Sequence, residues 1–338
     1  MRRIKSEYFL VLIESSLPPT AISSLIGIAR LAAESTVISA KRQVEYRSLE
    51  SRSILNRCNN PRMPFSWTIN PYRGCEVGCR YCYARYTHEF MGLDDGKLFE
   101  TRIYAKSEAA ALLRRDLKKP SAGAIAIGTS TDPYQPAEKK FGVTRELLEV
   151  FAEGAGRELS ITTKGDGIGR DLDLLLAISQ RNRLSVNFTI TTIDADLARL
   201  LEPRAPRPDL RLAALSALAD AGIQTGVFAS PILPWITDAP GQLEDLGRAA
   251  RDAGASYLGG GTLFLKESAR QEFFPLLRDH FPHLVADYDQ LYRWDAYPKG
   301  ARVEGIERTL REVRERFELR AAAVFEGPLM NSQLNLFD

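Results

Sequence analysis

Hydrophobic and polar positions follow a repeating order along most of the chain. Short apolar runs rich in β-branched residues are each followed by longer segments in which apolar residues recur every three or four positions. The short runs predict buried strands, and the longer segments predict amphipathic helices. The six predicted strands cover residues 66–69, 124–128, 159–163, 184–190, 224–229 and 256–265.

Predicted helices lie between these strands. Glycines support several of their ends, since Gly154 closes one helix and Gly222 and Gly254 follow two others. Strands that alternate with helices usually form a parallel sheet with right-handed crossovers. Six units are fewer than the eight of a closed barrel, so the α/β pattern predicts an open, partial (β/α)6 TIM-like barrel. The predicted helices cover residues 107–118, 143–155, 171–182, 194–201, 208–221 and 241–253.

The two ends of the chain depart from this pattern. Residues 1–43 are predicted to be an N-terminal extension with little order, and their apolar run between Glu7 and Glu14 is too short to span a membrane. Residues 44–300 hold the predicted barrel domain. Residues 301–338 are predicted to form a charged helix that packs on the flank of the barrel, followed by a short tail.

Composition and charge narrow the choice of partners. The chain has 338 residues, of which 44% are hydrophobic and 26% charged, as in a soluble globular protein. Its net charge is only +2, so a nucleic-acid partner would need a local basic patch rather than an overall positive field. Cysteines that are clustered rather than spread as a disulfide framework indicate a reducing compartment, so a cytoplasmic protein without a membrane partner is expected.

Three of the four cysteines lie within eight residues. Cys75, Cys79 and Cys82 are separated by three and then two residues, and Cys58 stands apart in a predicted loop. Three thiolates in one short loop can hold three irons of a cubane cluster and leave the fourth iron open. A structural zinc site needs four ligands, and a ferredoxin supplies a fourth cysteine. The spacing therefore favours an open iron–sulfur centre over a zinc site or a chance arrangement, and it assigns Cys58 no role.

At these residues the chain resembles the radical S-adenosylmethionine superfamily. Cys75, Cys79 and Cys82 match its Cys-x3-Cys-x2-Cys signature, and Tyr81 supplies the aromatic residue before the last cysteine. The resemblance implies a 4Fe–4S cluster on these three cysteines and S-adenosylmethionine (SAM) as cofactor. It further implies reductive cleavage of SAM to a 5′-deoxyadenosyl radical that abstracts a substrate hydrogen, with an electron donor such as flavodoxin or ferredoxin.

Neighbouring stretches narrow the resemblance to a branch. The sequences NPYRGCEVGCRYCYARYTHEF, GTSTDPYQP and LEPRAPRPDLRL are similar to the branch related to spore photoproduct lyase, often labelled DNA repair photolyase. The similarity covers about residues 45–300. It implies a lyase-like enzyme of DNA lesion repair. A radical enzyme acting on a peptide or small molecule is the alternative, and a non-catalytic iron–sulfur or electron-transfer protein is an alternative of another class.

Polar residues gather where the predicted strands end, which is where such barrels place their chemistry. Lys164 is expected to pair with the carboxylate of SAM because an ammonium suits a single anionic group. Thr189 is a weaker candidate for the same carboxylate, and Tyr81 is expected to support the adenine. The resemblance places the loop after the second strand near the amino group of SAM, and its residues are Thr129, Ser130, Thr131 and Asp132.

One departure from the branch concerns hydrogen transfer. Spore photoproduct lyases use a hydrogen-donating cysteine beyond the cluster motif, and no cysteine follows Cys82 in this sequence. Tyr83, directly after the last motif cysteine, is the candidate catalytic relay, with Tyr134 as a second choice. The arginines that follow the fourth predicted strand are expected either to be solvated or to face phosphates, and they are Arg199, Arg204, Arg207 and Arg211.

The last eight residues carry a separate signal for DNA. The pattern Gln-Leu-x-Leu-Phe, formed by Gln333, Leu334, Leu336 and Phe337, resembles the peptide with which bacterial repair and replication proteins dock on the DNA sliding clamp. Exposed apolar side chains at a chain end are unfavourable in water unless a partner covers them. The tail therefore predicts a clamp partner, and for this reason DNA ranks first among the substrate classes.

Overall fold

A computed structural model describes residues 25–41, 43–61, 63–93, 95–118 and 123–323. The predicted clamp-binding tail lies outside the described residues. Within them the chain forms eleven strands: β1 (Thr36–Lys41), β2 (Val44–Leu49), β3 (Leu55–Arg57), β4 (Trp67–Ile69), β5 (Tyr72–Arg73), β6 (Arg102–Lys106), β7 (Ile125–Ile127), β8 (Glu158–Thr163), β9 (Arg183–Thr189), β10 (Gln224–Ile232) and β11 (Tyr257–Thr262).

Helices connect these strands and cover them. The α-helices are α1 (Gly27–Ala33), α2 (Tyr86–Glu89), α3 (Leu98–Thr101), α4 (Ala109–Asp116), α5 (Glu138–Phe141), α6 (Val143–Glu153), α7 (Leu172–Ser179), α8 (Ala195–Leu201), α9 (Pro208–Asp220), α10 (Pro240–Asp252), α11 (Glu267–His280), α12 (Val285–Leu291) and α13 (Ala301–Arg316). Of the helices in the described residues, none is long and apolar enough to cross a membrane.

The main sheet contains all six strands that the apolar runs predict. Its order is β11-β10-β9-β8-β7-β4-β3. Six of these strands are parallel to one another: β4, β7, β8, β9, β10 and β11. Only β3, which pairs with β4, runs antiparallel. The two edges of the sheet do not pair with each other. The predicted α/β class and open, partial TIM-like barrel are therefore confirmed.

A second, four-stranded sheet was not predicted. Its order is β1-β2-β6-β5, and it includes residues of the predicted N-terminal extension, which form α1 and β1. Two of its strands, β1 and β5, lack the signals that identify buried strands. All but one residue of β1 are exposed, and β5 is only two residues long. This sheet nevertheless positions the site, because β5 pairs with β6 directly before the cysteine loop begins.

Two large apolar cores and one small cluster lie in the described residues, and the second core contains the clustered cysteines. The larger one joins the main sheet to its outer helices and includes Ile127, Ile161 and Val186. The second joins cysteine-loop residues to α11 and α12, with Phe273 and Tyr288 fully buried. The sequence pattern predicted neither of these helices, although they cover the loop and protect it from solvent.

The C-terminal helix α13 packs on α10 and β11, as its apolar stripe predicts. Ile306, Leu310 and Val313 are buried. A Cβ added at Gly260 of β11 would lie 2.8 Å from Cδ2 of Leu310, and one added at Gly247 of α10 would clash with Val313. Close approach at two glycines therefore seats this helix against the barrel.

Replacing Leu310 by alanine should destabilise the protein by about 2–5 kcal/mol, because a buried leucine leaves both a cavity and lost apolar burial. Urea denaturation followed by circular dichroism measures the change. Arg308→Ala, on the exposed face of the same helix, is the control and should change stability by no more than about 0.5 kcal/mol. Equal effects of the two substitutions would show that α13 is not seated as described.

Candidate active site at the cysteine loop

The cysteine loop, residues 74–82, begins just beyond the carboxyl end of β4, the first parallel strand. Two glycines allow its path. Gly74 has φ +79°, and a Cβ there would lie 2.8 Å from the carbonyl oxygens of Phe99 and Arg102. Gly78 has φ +66°, and a Cβ there would clash with the side chains of Arg204 and Glu100. Both positions therefore favour glycine, since other residues disfavour this backbone, and at Gly74 the neighbouring backbone leaves no room for a side chain.

The loop after β7 holds the first part of the cysteine loop. The Gly74 carbonyl accepts hydrogen bonds from the Thr131 hydroxyl at 2.6 Å and from the Gln135 amide at 3.1 Å. Gln135 also accepts from the backbone N–H of Glu76 at 2.9 Å. Gln135 and Thr131 belong to the stretch GTSTDPYQP, so this stretch helps to position the cysteines.

A buried guanidinium supports the middle of the loop. Arg85 is only 1% exposed and donates to the Cys79 carbonyl at 3.0 Å and to the Gly96 carbonyl at 2.8 Å. It also pairs with Glu100 at 3.3 Å. Glu100 in turn pairs with Arg204, which donates to the Glu76 carbonyl. These contacts tie the loop to α3 on one side and to the chain after α8 on the other.

The stretch LEPRAPRPDLRL clasps the loop from the opposite side. The Leu201 carbonyl accepts from the backbone N–H of Arg80 at 2.9 Å, and the Arg204 N–H donates to the Val77 carbonyl at 3.3 Å. The side chain between them, Glu202, is 2% exposed. We call residues 201–204 the clasp, because its backbone and side chains both bind the cysteine loop.

Glu202 is the centre of a buried polar network. Its carboxylate accepts a hydrogen bond from the Tyr81 phenol and pairs with the Arg211 guanidinium at 2.5 Å. The ammonium of Lys164 lies 3.8 Å from the same carboxylate and 5.8 Å from the centre of the Tyr81 ring. Burial raises the pKa of Glu202, but Arg211 and Lys164 outweigh it and hold this pKa below its usual range. The carboxylate is therefore ionised.

Arg211 does not face solvent or phosphates, so this part of the sequence prediction is wrong for it. The side chain is 1% exposed and donates to the Thr189 carbonyl at 2.9 Å and the Pro206 carbonyl at 2.8 Å. Its pairing with Glu202 and its bonds to these two carbonyls explain its burial, and the local sequence of prolines and arginines gives no sign of it. Arg207, by contrast, is exposed and pairs with Asp209 at 3.0 Å.

The three loop thiols are held away from solvent. Cys75 and Cys79 are buried and Cys82 is partly buried. Burial raises the pKa of all three thiols, and that of Cys79 to about 12. Nearby cations oppose this rise: Lys164 lowers the pKa of Cys79, and Arg85 lowers the pKa of Cys82. Since a thiol ligates metal as the thiolate, a bound metal centre has to supply most of the compensating positive charge here.

The geometry of the thiols bears on the kind of centre. The charges of Cys75, Cys79 and Cys82 interact with one another. Yet no group of three His, Cys, Asp or Glu side chains in the described residues is arranged to hold one metal ion. In a cubane cluster each thiolate binds a different iron, so the sulfurs need not converge on one point. Three thiols in one loop match the donor set of a cubane cluster that leaves its fourth iron without a protein ligand.

Cys58 lies at the other end of the first parallel strand. Its backbone N–H donates to the Ser66 carbonyl at 2.8 Å, directly before β4 begins. The cysteine loop follows the opposite, carboxyl end of β4. The length of this strand therefore separates Cys58 from the other three cysteines.

The predicted SAM residues after β7 mostly bind other parts of the protein. Asn70 donates to the Thr129 hydroxyl at 3.1 Å and accepts from the Ser130 N–H at 2.8 Å. Asp132 accepts from the Thr163 hydroxyl at 2.6 Å and from the Lys164 N–H at 2.6 Å. This loop thus joins the ends of three neighbouring strands, β4, β7 and β8, beside the cysteines.

The two candidate tyrosines differ in placement. Tyr83 is 39% exposed, and its hydroxyl donates to the Thr129 carbonyl. Tyr134 is 6% exposed and its hydroxyl donates to Asp171 at 3.1 Å. Tyr83 is next to Cys82 and accessible, whereas the Tyr134 phenol is enclosed within the barrel wall.

Several residues of the site were missed by sequence reasoning. They act by holding the cysteine loop or the strand ends, and none has a spacing that identifies it. Their only signal was membership of the stretches that resemble the photoproduct lyase branch, except for Glu100, which lies outside all three. They are Asn70, Arg85, Glu100, Gln135 and Glu202.

A parallel, partial barrel that carries three cysteine thiols beyond its first strand defines the class, a barrel enzyme built around an inorganic cluster. Residues 69–246, more than half of the chain, match the family profile described as Radical SAM superfamily. The chain therefore belongs to the radical SAM superfamily. Its cofactors are those of the family, a 4Fe–4S cluster and S-adenosylmethionine.

Similar sequences occur in bacteria and archaea. An uncharacterized protein of Mycobacterium tuberculosis is 37% identical over 257 residues, which cover 75% of this chain and 75% of that protein. An uncharacterized protein of Methanocaldococcus jannaschii is 32% identical over 196 residues, covering 58% of this chain and 71% of that protein.

Solved structures of spore photoproduct lyase share the fold. A variant of that enzyme with a dinucleoside spore photoproduct aligns with a TM-score of 0.61 and 16% identity, covering 87% of this chain and 85% of that one. Another variant aligns with a TM-score of 0.61 and 17% identity, covering 80% and 79%. At these identities the likeness establishes the shared barrel fold.

Glu202→Gln should destabilise the protein by about 3–5 kcal/mol, because it leaves the buried Arg211 guanidinium without its counter-charge. Anaerobic chemical denaturation of the cluster-loaded protein measures the loss. The double variant Glu202→Gln, Arg211→Met should recover a large part of it. Glu244→Gln removes a partly exposed carboxylate that pairs with Arg248 at 3.4 Å and should cost no more than about 1 kcal/mol. A single Glu202 variant as stable as this control would contradict the network.

Proposed function

We propose that this radical SAM enzyme acts on DNA, as a lyase-like enzyme of lesion repair. The observation that supports DNA is the shared fold with a spore photoproduct lyase variant bound to a dinucleoside spore photoproduct, which extends over 87% of the chain. The cluster loop lies at the same kind of place, the carboxyl ends of parallel strands, where barrel enzymes bind substrate. A peptide or small-molecule substrate is the alternative.

Cys75, Cys79 and Cys82 are the proposed cluster ligands. Their support is the buried three-thiol loop, its attachment through Gly74 and Gly78, and the cationic Arg85 next to it. When bound, the cluster and SAM together supply a one-electron cleavage that generates a 5′-deoxyadenosyl radical. The task of the protein is to position the reacting groups and exclude water.

Lys164 is the proposed partner of the SAM carboxylate. It follows β8 at the carboxyl end of the sheet, and its side chain is 16% exposed between the Tyr81 ring and Glu202. Burial lowers the pKa of Lys164, but Cys79 and Glu202 outweigh it and raise this pKa above its usual range. The ammonium therefore stays charged in a position from which it can meet an anion.

The remaining predicted SAM residues keep supporting roles in this proposal. Tyr81 is fixed by its bond to Glu202, so its ring forms a rigid wall beside the loop. The loop after β7 presents hydroxyl and backbone groups to the amino group of SAM. Thr189 is buried at the carboxyl end of β9, and its carbonyl accepts a hydrogen bond from Arg211. The residues proposed for that loop are Thr129, Ser130, Thr131 and Asp132.

Tyr83 is the proposed catalytic relay for hydrogen transfer. It is accessible and adjacent to a proposed cluster ligand, while Tyr134 donates to Asp171 inside the barrel. A flavodoxin- or ferredoxin-type electron donor and docking of Gln333, Leu334, Leu336 and Phe337 on a sliding clamp remain part of the proposal. The clamp motif is outside the described residues.

Anaerobic reconstitution with iron and sulfide should yield a brown protein that forms 5′-deoxyadenosine from SAM with dithionite. Alanine at Cys75, Cys79 or Cys82 should abolish the cluster absorbance, because three protein ligands are the minimum here, while Cys58→Ala should keep it. Ultraviolet-irradiated DNA should increase product formation, and mass spectrometry should show loss of thymine photoproducts.

Three outcomes test the proposed function, its substrate class and its set of cluster ligands. Absence of 5′-deoxyadenosine from the fully loaded protein would contradict the enzymatic function. Product formation without any effect of irradiated DNA would favour the peptide or small-molecule alternative. Loss of the cluster in Cys58→Ala would show that the ligand set is misassigned.

Lys164→Ala should weaken SAM binding by about 1.5–3 kcal/mol, roughly 10- to 150-fold, since one charge-assisted contact is lost. Isothermal titration of the cluster-loaded protein measures the affinity, and the cluster absorbance should be unchanged. Lys139→Ala, on an exposed surface, is the matched control. Unchanged affinity in the Lys164 variant would remove this residue from the SAM site.

A further inference from the structure

Five aromatic side chains form a continuous run at the mouth of the barrel. The ring centroids of neighbours are 5.6 Å apart for Phe90 and Tyr86, 6.5 Å for Tyr86 and Tyr83, and 6.1 Å for Tyr83 and Phe264. Phe264 and Tyr297 stack at 4.1 Å with an angle of 22° between their planes. We call these five rings, together with Lys266, the rim surface.

The rim surface bridges the open side of the partial barrel. Tyr83 and Tyr86 follow the cysteine loop, in the connection that comes after the first parallel strand, β4. Phe264 and Lys266 follow β11, the last strand, at the other edge of the sheet. Tyr297 is held nearby because the Leu265 N–H donates to the Ala296 carbonyl at 3.0 Å. A substrate that enters through this open side has to pass these rings.

Three of the five rings are exposed, and Tyr86 and Phe264 are partly buried. Phe90 is 61% exposed, Tyr297 42% and Tyr83 39%. Adjacent exposed aromatic side chains are unfavourable in water and usually mark a binding surface. Because Tyr83 directly follows Cys82, a ligand on this surface lies next to the proposed reaction centre.

Positive charge accompanies the rings. The Lys266 ammonium lies 4.0 Å from the centre of the Tyr86 ring, and no carboxylate of the described residues pairs with it. Flat rings next to an ammonium match a ligand that combines planar groups with negative charge.

A nucleotide has this combination, a flat base and a phosphate. Bases inside a duplex already stack on each other, so protein rings reach only bases that are unstacked or single-stranded. An apolar peptide would use the rings but would gain nothing from Lys266. The rim surface therefore favours a DNA strand with unstacked bases over an apolar polypeptide.

We propose that the rim surface binds unstacked nucleotides of a DNA strand, with bases stacked on Tyr83, Phe264 and Tyr297 and a phosphate at Lys266. This inference rests on the proposed action on DNA and adds the place and the form in which DNA is bound. It also places DNA binding at the rim surface and SAM binding at Lys164 and the carboxyl ends of the β-strands.

The test is fluorescence anisotropy with the cluster-loaded protein under anaerobic conditions. The probes are a labelled single-stranded oligodeoxynucleotide, its duplex and the matching single-stranded RNA. We expect the single-stranded DNA to bind most tightly. Phe264→Leu and Tyr297→Leu, which keep an apolar side chain but remove the ring, should each weaken binding about tenfold. Phe264→Tyr and Tyr297→Phe, which keep the ring, should bind as the unmodified protein does.

Lys266→Gln should weaken binding and reduce the slope of log K against log salt concentration by about one, as expected for one lost phosphate contact. Leu210→Ala removes an exposed apolar side chain from α9, outside the rim surface, and is the control. Circular dichroism and cluster absorbance should be unchanged in the Phe264 and Tyr297 variants, which shows that they are folded and loaded.

The outcomes distinguish this proposal from the proposed function. Wild-type binding that persists unchanged in both leucine variants would overturn the rim surface and leave action on DNA intact. Equal or tighter binding of the duplex or of the RNA would overturn the assignment to unstacked DNA. Failure of the unmodified protein to bind any of the probes would contradict DNA as the substrate class itself.

Discussion

The Glu202 carboxylate is buried between the Arg211 guanidinium and the Tyr81 phenol, and the geometry of the cysteine loop depends on this contact. A buried carboxylate is tolerated only with a close counter-charge and hydrogen bonds. Arg211 satisfies this requirement and is itself bound to the Thr189 carbonyl at the end of β9. The chain of contacts therefore fixes Tyr81, two residues after Cys79, relative to the strands of the barrel.

Electrostatic balance explains why cations surround the loop. Three thiolates would add negative charge to a region that also contains Glu100 and Glu202. Arg85 and Arg204 pair with Glu100, and Arg211 pairs with Glu202. The carboxylates are thus largely neutralised by dedicated partners. Lys164, at 3.8 Å from Glu202, is the least tightly paired of these cations, which leaves its charge available for a ligand.

The sequence predicted those parts of the fold that depend on local pattern. The six parallel strands have apolar runs, and the Cys75 to Cys82 spacing is contained in eight residues. The second sheet was missed because β1 is mostly exposed and β5 has two residues. The helices α11 and α12, which cover the loop, were also missed, although α11 has a clear buried face.

The polar part of the site could not be predicted because its contacts connect residues far apart in the chain. Tyr81 and Glu202 are 121 positions apart, and Arg204 and Glu100 are 104 apart. A run of arginines and prolines is typical of an exposed loop, and only the fold shows that Arg211 is internal. The resemblance to photoproduct lyases marked the stretch containing Glu202 but did not assign the residue a role.

The open side of the barrel and the small net charge bear on how a DNA strand would be chosen. With a net charge of +2, long-range attraction for DNA is weak, so local contacts have to supply the affinity. Stacking on the rim surface would require a base to leave its duplex neighbours. That step costs least where a lesion has already disturbed the stack. A surface that binds only unstacked bases would thus favour damaged sites without reading sequence, and it would deliver them beside Tyr83.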